Sequence, residues 1–252
     1  MNPPEPVLSV RGLSKAFGAL QAVQDVDLDL PAGARHALIG PNGAGKTTLV
    51  NLLTGMIKAD AGTIRLAGQT IDALKPEDRV RRGLARTHQI NTLLTETNAR
   101  ENVAIAIAER ERIAWRGLRY TKDWRRCLEE ADTRLREIGI LDVAGRRVSE
   151  LAYGQQRLLE IVIALSLKPR VLLLDEPAAG VPAHEAHVIH EVLERLPPDI
   201  AILIIEHDMD VVFRFANHIV VMVLGKVLVR GAPAEIAANP QVRAVYLGRS
   251  AV

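Results

Sequence analysis

Residues 40–47 read GPNGAGKT, and no other stretch restricts the fold as tightly. Glycines at 40, 43 and 45 describe a backbone that turns sharply. The short apolar run RHALI precedes them, and Leu49, Leu52, Leu53, Met56 and Ile57 follow at helical spacing. Strand, glycine loop and helix in that order make a loop whose N–H groups wrap phosphate oxygens at the positive end of a helix dipole. The pattern G-x-x-x-x-G-K-[ST] is complete over Gly40, Pro41, Asn42, Gly43, Ala44, Gly45, Lys46 and Thr47, with Thr48 next in the helix. In such a loop the lysine reaches the β and γ phosphates of a nucleotide and the Thr47 hydroxyl ligates Mg²⁺.

A phosphate loop of this kind belongs in a parallel sheet, and the rest of the chain supplies one. KPRVLLLDE and PPDIAILIIEHD each hold an apolar run suited to a buried strand, with a helix expected around 184–196 between them and a last helix near 233–246. Residues 7–30 alternate instead, most clearly in VQDVDLDL, as a half-buried antiparallel strand does. From about 97 to 167 the pattern is helical. The expectation is one α/β domain over 1–252. Its nucleotide-binding core, 1–90 and 168–252, carries an antiparallel β subdomain, and 91–167 forms an inserted helical subdomain.

Two carboxylates end the first of those strands. Asp175 is placed to hold Mg²⁺ through water, and Glu176 to orient or deprotonate the water that attacks the γ-phosphate. One strand later His207 stands just beyond a buried strand, in reach of a hydrogen bond to the same phosphate, with a structural histidine as the rival reading. LAYGQQR at 151–157 opens a run, RLLEIVIALSL, that is apolar nearly all round, so it reads as a buried helix with a polar first turn suited to an anion. The only glycine-rich loop in the chain lies more than a hundred residues earlier.

Composition narrows the setting. Thirty-two Lys and Arg against 30 Asp and Glu give no overall field for nucleic acid or an anionic membrane. Cys127 is the only cysteine, the N-terminus MNPPEPVLSV has no secretion-signal pattern, and no apolar run is long enough to span a bilayer. A cytoplasmic protein is expected, held at a membrane only by something else.

Phosphate loop, loop glutamine Gln89, LAYGQQR, LLLDEP and the strand-end histidine, in that order, resemble an ATP-binding cassette (ABC) ATPase over essentially the whole chain. LAYGQQR, DEPAAG, IIEHDM and AEIAANPQVRAVYLG are similar more narrowly to the ATPases of branched-chain amino acid uptake, a group that also serves urea, amides and aromatic acids. The resemblance implies an ABC ATPase fold that binds ATP and Mg²⁺. Two cassettes, a homodimer or a heterodimer with a related ATPase, would pair head to tail on the cytoplasmic face of the inner membrane. They would work with two membrane permease subunits and, indirectly, an external solute-binding protein. It implies that Ala152, Tyr153, Gly154 and Gln155 close over a nucleotide held by the partner, with Gln156 and Arg157 ringing the same helix start. Gln89 would join Thr47 and Asp175 near the metal and report to the helical insert. Phe17 matches the residue that stacks on adenine, with a core phenylalanine as the rival reading.

The chain departs from the commonest family pattern at Ala152, where a serine donates to the γ-phosphate, and at Tyr153, where glycine is usual. Pro182 replaces a residue that hydrogen-bonds across the dimer, and His88 has no assigned role. HEAH at 184–187 fails as a zinc motif because position 188 is valine. RERIAWRGLRYTKDWRR, Arg110–Arg126, is basic and holds Trp115 and Trp124; it is open to nucleic acid, to lipid head groups or to solvent alone. A soluble ABC ATPase acting on nucleic acid or ribosomes is the competing function.

Overall fold

RHALI, VLLLD and AILII are buried along almost their whole length, as strands of a sheet covered on both faces must be. The computed structural model describes residues 5–87, 93–113 and 122–247. In chain order its elements are β1 (Leu8–Phe17), β2 (Leu20–Leu30), β3 (Arg35–Ile39), α1 (Lys46–Thr54), β4 (Ala61–Leu66), β5 (Gln69–Thr70), α2 (Pro76–Arg81) and β6 (Leu84–Arg86). There follow α3 (Ala99–Arg110), α4 (Lys122–Ile138), α5 (Tyr153–Ser166), β7 (Val171–Asp175), α6 (Ala183–Glu194), β8 (Ala201–Ile205) and α7 (Met209–Phe215). β9 (His218–Val223), β10 (Lys226–Gly231), α8 (Pro233–Ala238) and α9 (Pro240–Leu247) complete the chain. The expected single final helix is two, broken at Asn239, because Pro240 has no N–H to continue the first. The α/β class and the antiparallel β subdomain are as the sequence indicates.

The chain divides into two compact units. Met1–Leu84, Arg170–Glu176 and Pro197–Val252 form the first, and Ala85–Pro169 with Pro177–Leu196 the second. Sequence reasoning assigned all of 168–252 to the core; α6 instead groups with the helical unit, where it packs on α5.

In the first unit one sheet has the order β10-β9-β3-β8-β7-β6, and the division between units falls after Leu84, inside its last strand. β3 runs parallel to β8 and β9, β7 parallel to β8, and β10 antiparallel to β9. The second sheet, β2-β1-β4-β5, is antiparallel. Its inward residues Val23, Val26, Leu28 and Leu30 slip by one at Asp25, which takes φ 50° and donates its N–H to Ser14 Oγ at 2.9 Å. One apolar core joins both sheets to α1 through residues such as Leu13, Leu30, Leu49, Leu53 and Leu203.

α1 ends at Gly55, in the left-handed region at φ 77°, and its last carbonyls are met by a buried cation. Arg79 of α2, 3% exposed, donates from Nη1 to Leu52 and Leu53 O at 2.7 Å each, from Nη2 to Asp72 O at 3.1 Å and from Nε to Leu74 O at 3.2 Å. A Cβ at position 55 would stand 2.7 Å from Arg79 Nε, so the glycine makes room for the guanidinium.

The second unit is helical. α4 buries Trp124, Cys127, Ala131 and Leu135 at helical spacing, while α5 is buried almost all round. Arg110 at the end of α3 ties both together, bonding Glu130 of α4 at 3.0 and 2.8 Å and Ser166 O at the end of α5 at 2.6 Å. The Arg110 bond holds the Glu130 carboxyl below its usual range. The basic segment therefore loses Arg110 and the buried Trp124 to internal packing; Trp115 lies outside the described residues.

Candidate nucleotide site

The register of the parallel strands sets the site. Leu38 pairs with Ile205, and Ile205 with Asp175, so the phosphate loop, Asp175–Glu176 and Glu206–His207 all leave the sheet at its carboxyl edge, where parallel α/β sheets bind ligands.

The loop's shape depends on its glycines. A Cβ on Gly40 would lie 2.2 Å from Met222 O, and one on Gly45 2.2 Å from Ala22 O. Gly43 meets nothing within 4 Å, which leaves an open cradle. Ala44 donates its N–H to Pro41 O at 3.1 Å, and the first helical bond of α1 is Leu49 N–H to Gly45 O at 2.9 Å. The N–H groups of the first turn, through Thr48, therefore have no acceptor within the helix, and Gly45 caps it with no side-chain bond. That cradle fits a phosphate. Gly45 has φ 99°. We expect Gly45→Ala to add about 1–3 kcal/mol of backbone strain besides the clash, and to weaken nucleotide binding at least about 100-fold. Titration with a fluorescent nucleotide checks this, and unchanged affinity would remove the loop from the binding site.

Lys46 Nζ donates to Gly40 O at 2.7 Å and Pro41 O at 3.1 Å, folded along its own loop. Burial pulls its ammonium below the ordinary lysine range, opposed by the nearby carboxylates of Glu176 and Asp175. Asp175 is 4% exposed at the end of β7. Glu176 follows with φ 46°, rare for a side chain of this size, and its N–H is fixed on Ile205 O at 2.9 Å. Its Oε1 lies 3.6 Å from His207 Nδ1, and the exposed imidazole also has Glu206 Oε2 at 3.8 Å. The first unit thus brings together Lys46, Asp175, Glu176 and His207. Glu206 was not singled out from the sequence, although a carboxylate ending an apolar strand beside a histidine was visible. Phe17 is 50% exposed at the tip of the β1–β2 hairpin, which removes the core reading; Lys15 Nζ sits 5.6 Å from its ring centre. Gln89 and His88 lie outside the described residues.

In the second unit LAYGQQR starts α5. Gln155 Oε1 accepts from Ala152 N–H at 3.1 Å, so the amide caps the helix that it opens. Gly154 is buried: a Cβ there would lie 2.6 Å from Glu185 Oε2. Ala152 and Tyr153 are exposed and Gln155 is half-buried. Two expected members of the polar rim turn inward instead. Gln156 donates to Leu151 O at 3.1 Å, and Arg157, 6% exposed, pairs with the buried Glu160 at 2.8 Å and donates to Tyr153 Oη at 2.5 Å. Arg157 is buried and Gln156 half-buried, and each bonds inside the unit. Among the described residues no group of three or more His, Cys, Asp or Glu could hold a metal, and His187 and His190 make no such site.

The chain matches a family model described as ABC transporter over residues 23–179, and one for branched-chain amino acid ATP-binding cassette transporters over 226–252. It is 41% identical to the high-affinity branched-chain amino acid transport ATP-binding protein LivG of Escherichia coli K12, over 98% of this chain and 99% of that one. Identity to BraF of Pseudomonas aeruginosa, which carries the same description, is 39% over 97% and 99%. Among solved structures, a nucleotide-free ATP-binding cassette from an ABC transporter aligns with a TM-score of 0.83 at 31% identity, covering 96% of this chain and 98% of that one. A cassette in its ADP conformation aligns with a TM-score of 0.83, also at 31% identity, covering 96% and 99%. With a phosphate loop, paired strand-end carboxylates and a strand-end histidine on one sheet edge, and a family match over more than half its length, the chain belongs to the ABC transporter family and is a nucleotide-binding ATP hydrolase.

Proposed function

We propose that this chain is the ATP-hydrolysing subunit of an importer for branched-chain amino acids or a related small polar solute, at the cytoplasmic face of the membrane. The observation that carries the reading is the meeting of Lys46, Asp175, Glu176 and His207 at one sheet edge. The names of the 41% and 39% identical relatives support the solute class. Among the described residues no helix is long and apolar enough to cross a membrane; in this role the chain pairs with membrane permease subunits.

Hydrolysis here rests on placement and charge. The loop N–H groups and Lys46 hold the phosphates, Glu176 accepts the proton of the attacking water, and His207 faces the γ-phosphate. Thr47, Asp175 and Gln89 would hold Mg²⁺, a hydroxyl and oxygen set suited to a hard cation, which offsets phosphate charge when bound. Two copies, or this chain and a related ATPase, trap the nucleotide between them. Ala152, Tyr153, Gly154 and Gln155 of each close the other's pocket, and closure drives the permease subunits. With Ala152 in place of a serine, the closing contact relies on backbone N–H groups and the dipole of α5.

Reconstitution in vesicles with the membrane subunits and binding protein tests this. ATP-dependent uptake of leucine, isoleucine or valine is expected, and Lys46→Ala should abolish it. Uptake that survives Lys46→Ala, or a chain that hydrolyses ATP and associates with no membrane subunit, overturns the reading.

A further inference from the structure

Glu206 is a carboxylate only 4% exposed, next to His207 in sequence and not used by the mechanism above. Its Oε2 accepts the His207 N–H at 3.0 Å and the Asp208 N–H at 3.5 Å, so it curls back to fix the turn that leaves β8. Asp208 then caps α7 by accepting from Asp210 and Val211 N–H at 2.9 and 3.4 Å. A neutral amide oxygen could accept the same two N–H groups, although more weakly than a carboxylate. Burying an anion is costly, and burial does push Glu206 above the usual carboxylate range, with the two N–H bonds pulling it back. The charge therefore calls for a reason beyond the turn.

His207 supplies it. The same Oε2 lies 3.8 Å from His207 Nδ1, and Glu176 Oε1 approaches that nitrogen at 3.6 Å. Both distances are slightly beyond a hydrogen bond, and catalytic contacts of this kind tighten when substrate is bound. A ring nitrogen facing two carboxylate oxygens carries its proton there, which leaves Nε2 to point away toward the phosphate. If Nε2 also donates to a phosphate oxygen, the ring is a cation, and the two carboxylates are the groups that offset it.

We propose that Glu206 is a positioning residue for hydrolysis: with Glu176 it brackets Nδ1 of His207, fixing the tautomer and direction of the imidazole that meets the γ-phosphate. The inference rests on the reading of His207 as the residue facing that phosphate.

Glu206→Gln keeps an oxygen for the turn and removes the charge, whereas Glu206→Ala removes both. With purified full-length chain and MgATP, Glu206→Gln is expected to lower kcat about tenfold. KM for ATP should stay within about twofold and Tm should hold. Glu206→Ala should lower kcat further and Tm as well. A Glu206→Gln kcat within about twofold of the parent overturns the proposal. So does a Glu206→Gln loss in kcat matched by a loss in Tm, which would make Glu206 a fold residue only. Histidine ¹⁵N resonances give a readout independent of turnover. The His207 proton should sit on Nδ1 in the parent and redistribute toward Nε2 in Glu206→Gln; an identical tautomer in both overturns the bracket. Loss of turnover in the parent with the Nδ1 tautomer intact would count against the hydrolysis reading and leave the bracket standing.

Discussion

Glu176→Gln should bind nucleotide with nearly the parent affinity and lose about 10²–10⁴-fold in turnover, the range for removing a positioned general base. The substitution preserves side-chain shape, and the residue's placement comes from its backbone, φ 46° with its N–H on Ile205 O, so the amide should occupy the same position. What it lacks is proton affinity. Lys46 keeps its carbonyl contacts in the loop and should still grip phosphate. A trapped dimer is expected to accumulate with ATP, visible by size-exclusion chromatography. Undiminished hydrolysis would remove Glu176 as the base.

The largest stability effect is expected far from the nucleotide, at Arg79. Arg79→Met keeps length and apolar stem but leaves four carbonyls, of Leu52, Leu53, Asp72 and Leu74, without their cationic donor. Two of these close α1, the helix that begins with Lys46. Hydrogen bonds to a charged group contribute about 1.5–3 kcal/mol each. The buried cation also has a desolvation cost, which shows as a guanidinium held below its usual range. The net loss should be about 3–4 kcal/mol, or about 6–16 °C in Tm for a chain of this size. Thermal and urea melts measure it, and a loss under about 1 kcal/mol would show that water replaces the cap.

The placement of the phosphate loop and the strand-end residues of the candidate site was legible because each part is local. GPNGAGKT carries its own turn residues, and VLLLD and AILII are apolar without interruption, so strand, loop and edge follow from adjacent residues. What escaped depends on distant partners. Nothing local in the sequence marks Arg79, whose role comes from the carbonyls of Leu52 and Leu53 far from it along the chain. Arg157 reads as part of a polar first turn, but Glu160 and Tyr153 hold it inside. The grouping of Pro177–Leu196 with the helical unit is likewise decided by packing, through the close approach of Glu185 to Gly154 and of Gly180 to Tyr153. Even the exposure of Phe17 was undetermined, since an aromatic ending a strand suits a core as well as a hairpin tip.

Besides the Lys46 ammonium, the phosphate loop is braced by main chain of the neighbouring strands. Gly45 lies against Ala22 O and the Gly225 Cα, Gly225 donates its N–H to Ala44 O at 3.0 Å, and Gln24 N–H reaches Gly225 O at 2.8 Å. Every amino acid carries the carbonyl that position 22 supplies, so mutational drift there can alter chemistry around the rim without reshaping its floor, whereas position 24 must keep an N–H and Gln24 also donates from Nε2 to Leu224 O at 3.0 Å. Leu224, 78% exposed at φ 47°, marks the same tolerance: an asparagine there would sit more comfortably in the hairpin, and the pocket would not register the exchange.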